Sequence, residues 1–217
     1  VRNAAGIFLA WSLFWVLVFR FAGPPFTYLT LRDRLSGQSV DRRPVPIETI
    51  SRHLILAVVT AEDQRFCLHH GFDWEAIFAA QSFNARSNRL RGASTISMQT
   101  AKNAFLWPGR TWIRKGFEAY YTVLIELVWP KWRILEVYLN VAEWGDGLYG
   151  AEAAARHYFS KPAAQLTRSE AALMAAALPS PRTSNPARPS AYLSSRRSRI
   201  ISQMHDVGEA FGECLEW

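Results

Sequence analysis

Glu62-Asp63-Gln64-Arg65-Phe66-Cys67-Leu68-His69-His70-Gly71-Phe72-Asp73 sets adjacent carboxylates, two phenyl rings and two imidazoles within twelve residues. A surface loop has little reason to mix these types so densely. A catalytic mouth does, because it needs an acid or base, apolar walls that lower the local dielectric, and groups that orient the base. Upstream, Ile47, Ile50, Leu54, Ala57, Val58 and Ala61 recur at threes and fours, which predicts a helix. Glu62 arrives at the end of that helix on its apolar face, where a carboxylate is either half-buried with a raised pKa or paired. Asp73 is placed to cap a following helix from Trp74 to about Phe83.

Downstream, Arg86 to Gly92 reads as a basic loop. Ser94 or Thr95 caps a helix from Ile96 to about Leu106, closed by Trp107-Pro108-Gly109. No acidic residue occurs between Glu75 and Glu118, while Arg86, Arg89, Arg91, Lys102, Arg110, Arg114 and Lys115 all fall there. Solvated surfaces mix the two signs, so an acid-free basic tract containing helix N-termini suits a phosphate or pyrophosphate, with nucleic acid as the rival ligand. Glu118 follows Arg114 by four and Lys115 by three, so the three share a helix face; the plain alternative is a surface ion pair.

The next helix is Lys131 to Asn140, on which Glu136 and Asn140 read as local structural partners. Glu143 to Gly150 is a glycine-rich loop whose Glu143 and Asp146 either line a cleft or cap turns. Ala151 to Phe159 is an alanine-rich helix. Thr167-Arg168-Ser169-Glu170 is a capping box ahead of Ala171 to Leu178, and a basic helix from about Tyr192 to Phe211 follows a proline-rich loop. No sustained two-residue alternation marks a sheet, so the domain is expected to be mainly α, with room for a short hairpin in its loops.

At the other end, Ala4 to Phe19 is uncharged and almost wholly apolar. With Phe21 and Ala22 it approaches the ~20 residues that span a bilayer. A cleaved signal peptide is the rival, but large aromatics run to the end of the stretch with no small-x-small site. The expected organisation is a membrane anchor over 1–22, a juxtamembrane linker over 23–46 and a catalytic domain over 47–217. The linker arginines Arg32, Arg34, Arg42 and Arg43 suit either anionic headgroups or plain solvation.

The chain of 217 residues carries net charge +7 with nine Trp and thirteen Phe, a balance that fits an anionic partner and a membrane. Cys67 and Cys214 are too few for a disulfide scaffold and are expected as two buried thiols in preference to one bridge. No zinc spacing and no His-Glu-x-x-His occurs, so no metal site is predicted.

These stretches resemble the family 51 glycosyltransferases, the peptidoglycan polymerases that build glycan strands from lipid II. Five motifs carry the resemblance, in order, between about Pro24 and Pro189. They are Glu62-Asp63-x-x-Phe66-x-x-His69-x-Gly71-x-Asp73; Gly92-Ala93-Ser94-Thr95-Ile96-x-x-Gln99-x-x-Lys102-Asn103; Arg114-Lys115-x-x-Glu118; Ile134-Leu135-Glu136-x-Tyr138-Leu139-Asn140; and Gly150 through Tyr158-Phe159-Ser160-Lys161. With no second large domain, the chain is similar to the monofunctional biosynthetic form. The resemblance implies a lysozyme-like glycosyltransferase domain behind a single N-terminal transmembrane helix, in a bacterial inner membrane with the domain on the periplasmic side.

It also implies roles. Glu62 is the expected base and Glu118 the second catalytic carboxylate. Asp63, Phe66, Ser94, Thr95, Gln99, Lys102, Asn103, Arg110, Arg114 and Lys115 are the expected substrate contacts. His69 is expected to be a structural hydrogen-bonder, and His70 has no assigned role. The expected partners are lipid II, the growing strand and the membrane, with cell-division or elongation proteins also admitted and nucleic acid excluded. No cofactor is required, although a divalent cation, Mg2+ or Mn2+, is compatible. A lytic enzyme cutting the same glycan and a non-enzymatic membrane scaffold are the rival functions.

Overall fold

The computed structural model describes residues 2–87, 91–109, 111–210 and 214. Among them, ten α-helices surround a small sheet. In chain order the elements are α1 (Arg2–Phe21), α2 (Tyr28–Leu35), β1 (Asp41–Arg42), α3 (Arg52–Glu62), α4 (Trp74–Arg86), α5 (Ile96–Phe105), α6 (Trp112–Val128), α7 (Lys131–Val141), β2 (Glu143–Gly145), β3 (Leu148–Tyr149), α8 (Ala151–Phe159), α9 (Arg168–Ala177) and α10 (Ala191–Ala210). The expected mainly α class is observed.

Local signals set most helix starts. The Asp73 carboxylate accepts from Ala76 N at 3.0 Å and starts α4. Thr95, not Ser94, caps α5 by accepting from Met98 N. Thr167 and Glu170 close the predicted reciprocal box on α9. The core is one cluster: α3, α9 and α10 pack on one another, and α5 packs on both α6 and α7. Ile47, Leu54, Ile96, Ile134, Leu135 and Leu139 are completely buried within it. Alanines at 153–155 and 171–172 let α8 and α9 approach their neighbours closely.

The segment expected as a linker is folded. Thr27 and Thr30 form a reciprocal cap that starts α2, and β1 pairs in parallel with β3, Asp41 opposite Leu148 and Arg42 opposite Tyr149. β2 and β3 form the short hairpin, giving the strand order β1-β3-β2. Gly147, at φ +69°, makes this possible, since a Cβ there would strike the Ser39 carbonyl oxygen. Three of the four linker arginines are tied to protein: Arg42 donates to the carbonyls of Pro24 and Pro25 at 2.6 and 2.8 Å, Arg32 pairs with Asp33, and Arg43 pairs with Asp41.

Glu136 and Asn140 are structural, as expected. Glu136 accepts from Ile47 N at 2.8 Å, and Asn140 exchanges two hydrogen bonds with Val45, so both hold the entry to α3. Glu143 and Asp146 pair with Arg182 on the hairpin and do not line the cleft described below.

The cysteines correct an expectation. Cys67 and Cys214 are joined as a disulfide across 147 residues of chain, with Cα atoms 5.8 Å apart. Two cysteines are too few for a disulfide scaffold, which made thiols the expectation, but a single bridge needs only that the fold bring the pair together. The return of α10 along α3 does so and ties its far end to the loop after Glu62.

Candidate active site

Glu62 is the last residue of α3, where the apolar face runs out beside a cleft of about 860 Å³. Its side chain is 14% exposed. Gln99 of α5 donates from Nε2 to Glu62 Oε2 at 3.0 Å, and Arg196 of α10 stands 3.9 Å from Oε1. Burial pushes the Glu62 carboxyl above its ordinary value of 4.5; the Gln99 hydrogen bond and the Arg196 charge oppose this without cancelling it. Beneath Gln99, the buried Tyr138 hydroxyl lies 3.4 Å from Gln99 Oε1, which directs the amide nitrogen at Glu62.

Lys102 lies on the same α5 face, three residues on. Burial lowers its pKa, while the charges of Glu118 and Glu62 hold it up. It therefore feels both proposed catalytic carboxylates. Glu118 is 3% exposed on α6, with Arg114 Nη1 at 2.6 Å from one oxygen and Lys115 Nζ on the other. Arg114 and Glu118 form a buried pair joined by the partly exposed Lys115, and not the surface ion pair of the plain reading. Thr111 caps α6, so the cluster occupies its first two turns, where the helix dipole adds to the positive field.

The other predicted contacts divide. Ser94 is exposed on the cleft rim, and Asn103 is half-buried one turn beyond Gln99. Arg110 lies outside the described residues. Asp63, expected to touch substrate, is 7% exposed and turned inward: Oδ2 accepts from Ile96 N at 2.9 Å, and His69 Nε2 lies 2.9 Å from Oδ1. It clamps the start of α5 to the motif loop. Thr95, also expected as a contact, spends its hydroxyl on Gly71 O and on its cap. Phe66, expected as a cleft wall, is completely buried under the Lys131 ammonium, 4.6 Å from its ring centroid. His69 is the structural hydrogen-bonder expected. Gly71, at φ +89°, lies where a Cβ would come within 2.8 Å of Thr122, so the loop lies flat against α6.

The basic helix expected from about Tyr192 is α10, but its place at the cleft was not foreseen. Arg196, Arg199 and Gln203 line the cleft opposite the motif loop, and Gln203 accepts from Gln64 at 3.1 Å. The basic character of that helix was visible, but nothing local aimed it at Glu62.

A transglycosylase family model matches residues 30–205. The chain belongs to the transglycosylase family. It is 54% identical over 208 residues to a biosynthetic peptidoglycan transglycosylase of Rhodospirillum centenum, covering 94% of this chain and 90% of the relative. Proteins of the same name from Xanthomonas campestris pv. campestris and Pseudomonas putida are 49% and 51% identical, over 96% and 93% of this chain and 87% and 88% of theirs. The family match begins inside the segment first read as a linker, consistent with α2 and β1 being part of the fold.

Proposed function

We propose that this transglycosylase polymerises lipid II into peptidoglycan glycan strands, with Glu62 as the general base. The observation that carries the assignment is the half-buried, Gln99-oriented Glu62 at the meeting of an open cleft and a basic cluster. The acceptor's GlcNAc 4-hydroxyl attacks C1 of the donor's MurNAc on the face opposite the leaving group. The new C1–O bond forms as the bond to undecaprenyl pyrophosphate breaks, with inversion, and Glu62 takes the hydroxyl proton. An alcohol is a weak nucleophile at neutral pH, so a base with a raised pKa, already hydrogen-bonded in place, lowers that barrier.

Charge accumulates on the departing pyrophosphate. Lys102, Arg114 and Lys115 are fixed cations for it, and Glu118 holds the last two in register. Arg196 and Arg199 across the cleft suit the acceptor's own pyrophosphate. Both Glu118 oxygens are engaged by cations, and no cluster of three or more His, Cys, Asp or Glu able to hold a metal occurs among the described residues. With both oxygens so engaged, Glu118 does not fit a divalent cation, and no step is assigned to one.

α1 is apolar enough to cross a membrane over Asn3–Phe21, with mean hydropathy 1.9, and anchors the enzyme where its lipid-linked substrate lies. The Cys67–Cys214 bridge suits an oxidising compartment, which supports a periplasmic domain on the inner membrane. The test is to incubate the purified chain with lipid II and, separately, with preformed strands. Strand growth supports the polymerase; shortening of preformed strands without growth supports a lytic enzyme instead.

A further inference from the structure

Phe8, Ser12, Val16 and Phe19 recur at fours and threes, so they form one stripe along α1. Ser12, Val16 and Phe19 are buried, whereas Leu9, Leu13 and Leu17 on the rest of the helix are 42–52% exposed. The stripe is bonded to the catalytic domain as well as packed on it. The Ser12 hydroxyl donates to Leu9 O at 3.0 Å, which leaves the Tyr120 hydroxyl to donate to Ser12 Oγ at 2.6 Å. Trp129 Nε1 donates to Val16 O at 2.8 Å, and Arg133 donates to Phe19 O from two nitrogens at 2.7 and 3.1 Å. A tether that only dissolves in lipid needs none of the contacts to Tyr120, Trp129 and Arg133, since the Ser12 hydroxyl is already satisfied within α1.

The contacts on α6 fall around Glu118. The Phe8 ring lies 5.7 Å from both Phe117 and Tyr120, while on the other side Tyr121 stacks on Phe105 of α5 at 4.6 Å. The helix that carries Arg114, Lys115 and Glu118 is therefore held between α5 and α1. We propose that α1 is a positioning element of the enzyme: its Phe8–Ser12 stripe fixes the roll of α6 and so the placing of the Arg114–Lys115–Glu118 cluster on the donor pyrophosphate. This rests on the reading of that cluster given above.

The experiment uses the full chain reconstituted in lipid, with lipid II as substrate and Michaelis–Menten readout. Phe8→Leu combined with Ser12→Leu, and separately Tyr120→Phe, are compared with Leu13→Ile combined with Leu17→Ile on the exposed face. Misplaced phosphate-binding cations should raise KM for lipid II, by roughly tenfold in the double stripe variant, since displacements of about 1 Å cost that much or more. Ser12→Thr, which keeps the hydroxyl, should restore the wild-type KM, and the exposed-face variant should match wild type throughout. A contact that served stability alone would reduce the amount of active enzyme and its apparent kcat without moving KM. Stripe variants with unchanged KM, whatever their kcat, overturn the proposal while leaving the donor cluster intact. Glu118→Gln tests that cluster independently: if it polymerises with wild-type KM and kcat, the reading beneath the proposal fails.

Discussion

Gln99 donates its amide hydrogen to Glu62 at 3.0 Å, across the gap between the end of α3 and the first turns of α5. The bond fixes the carboxylate without neutralising it, and burial raises its pKa despite the contact. A carboxylate held in this way is poorly solvated in the folded protein. That follows from the chemistry, since a fully solvated glutamate would be a weaker base toward a sugar hydroxyl.

The same arrangement destabilises the fold. Glu62 has a folded pKa above its unfolded value of 4.5. The unfolded chain therefore loses the proton first, and stability falls as pH rises from 4.5 toward the folded pKa. Glu62→Gln, whose side-chain oxygen can still accept from Gln99, should raise the thermal unfolding midpoint at pH 7. The gain should disappear near pH 4, where both states hold the proton. A variant less stable than wild type at pH 7 would contradict this account of the Glu62 environment.

The pH–rate profile should be a bell. The base must be unprotonated, so the acid limb follows Glu62 and is shifted upward from the ordinary glutamate value of 4.5. The cation on the leaving group must be protonated, so the alkaline limb follows Lys102, which burial lowers from 10.5. The check is kcat/KM measured against pH for wild type and Lys102→Arg. The arginine variant should lose the alkaline limb within the accessible range, because guanidinium does not titrate there.

Reducing the Cys67–Cys214 bridge should lower the unfolding midpoint. Opening a loop of 147 residues releases at most about 5 kcal/mol by chain entropy. Cys214→Ser compared with wild type, each with and without dithiothreitol in thermal melts, checks this: wild type should shift on reduction and the variant should not. A wild-type midpoint indifferent to reduction would show that the bridge does not brace α10.

The sequence was most legible where its signals are local. Asp73 and Thr167 declare their helices because a cap acts within three residues, and the acid-free tract announced a basic site because charge sign needs no geometry. Glu62 could be placed because helical periodicity put it at the end of an apolar face. What stayed hidden depends on distant chain. Asp63 looks like a second site carboxylate beside Glu62, yet adjacent residues at a helix end point different ways, and Asp63 turns inward to Ile96 and His69. Phe66 is sequestered by Lys131, 65 positions later. The proline- and arginine-rich segment 23–46 reads as linker until β3 supplies a partner for β1. Arg196 and the disulfide both depend on α10 folding back along α3, and no local pattern encodes that return.

The central claim is that Glu62 activates the acceptor hydroxyl in strand growth. Its most direct test is gel electrophoresis of the products formed from lipid II by the full chain and by Glu62→Gln, with unfolding midpoints measured on the same samples. The account predicts a ladder of glycan strands from wild type and none from a variant that is fully folded. Strand growth by Glu62→Gln at the wild-type rate would contradict it.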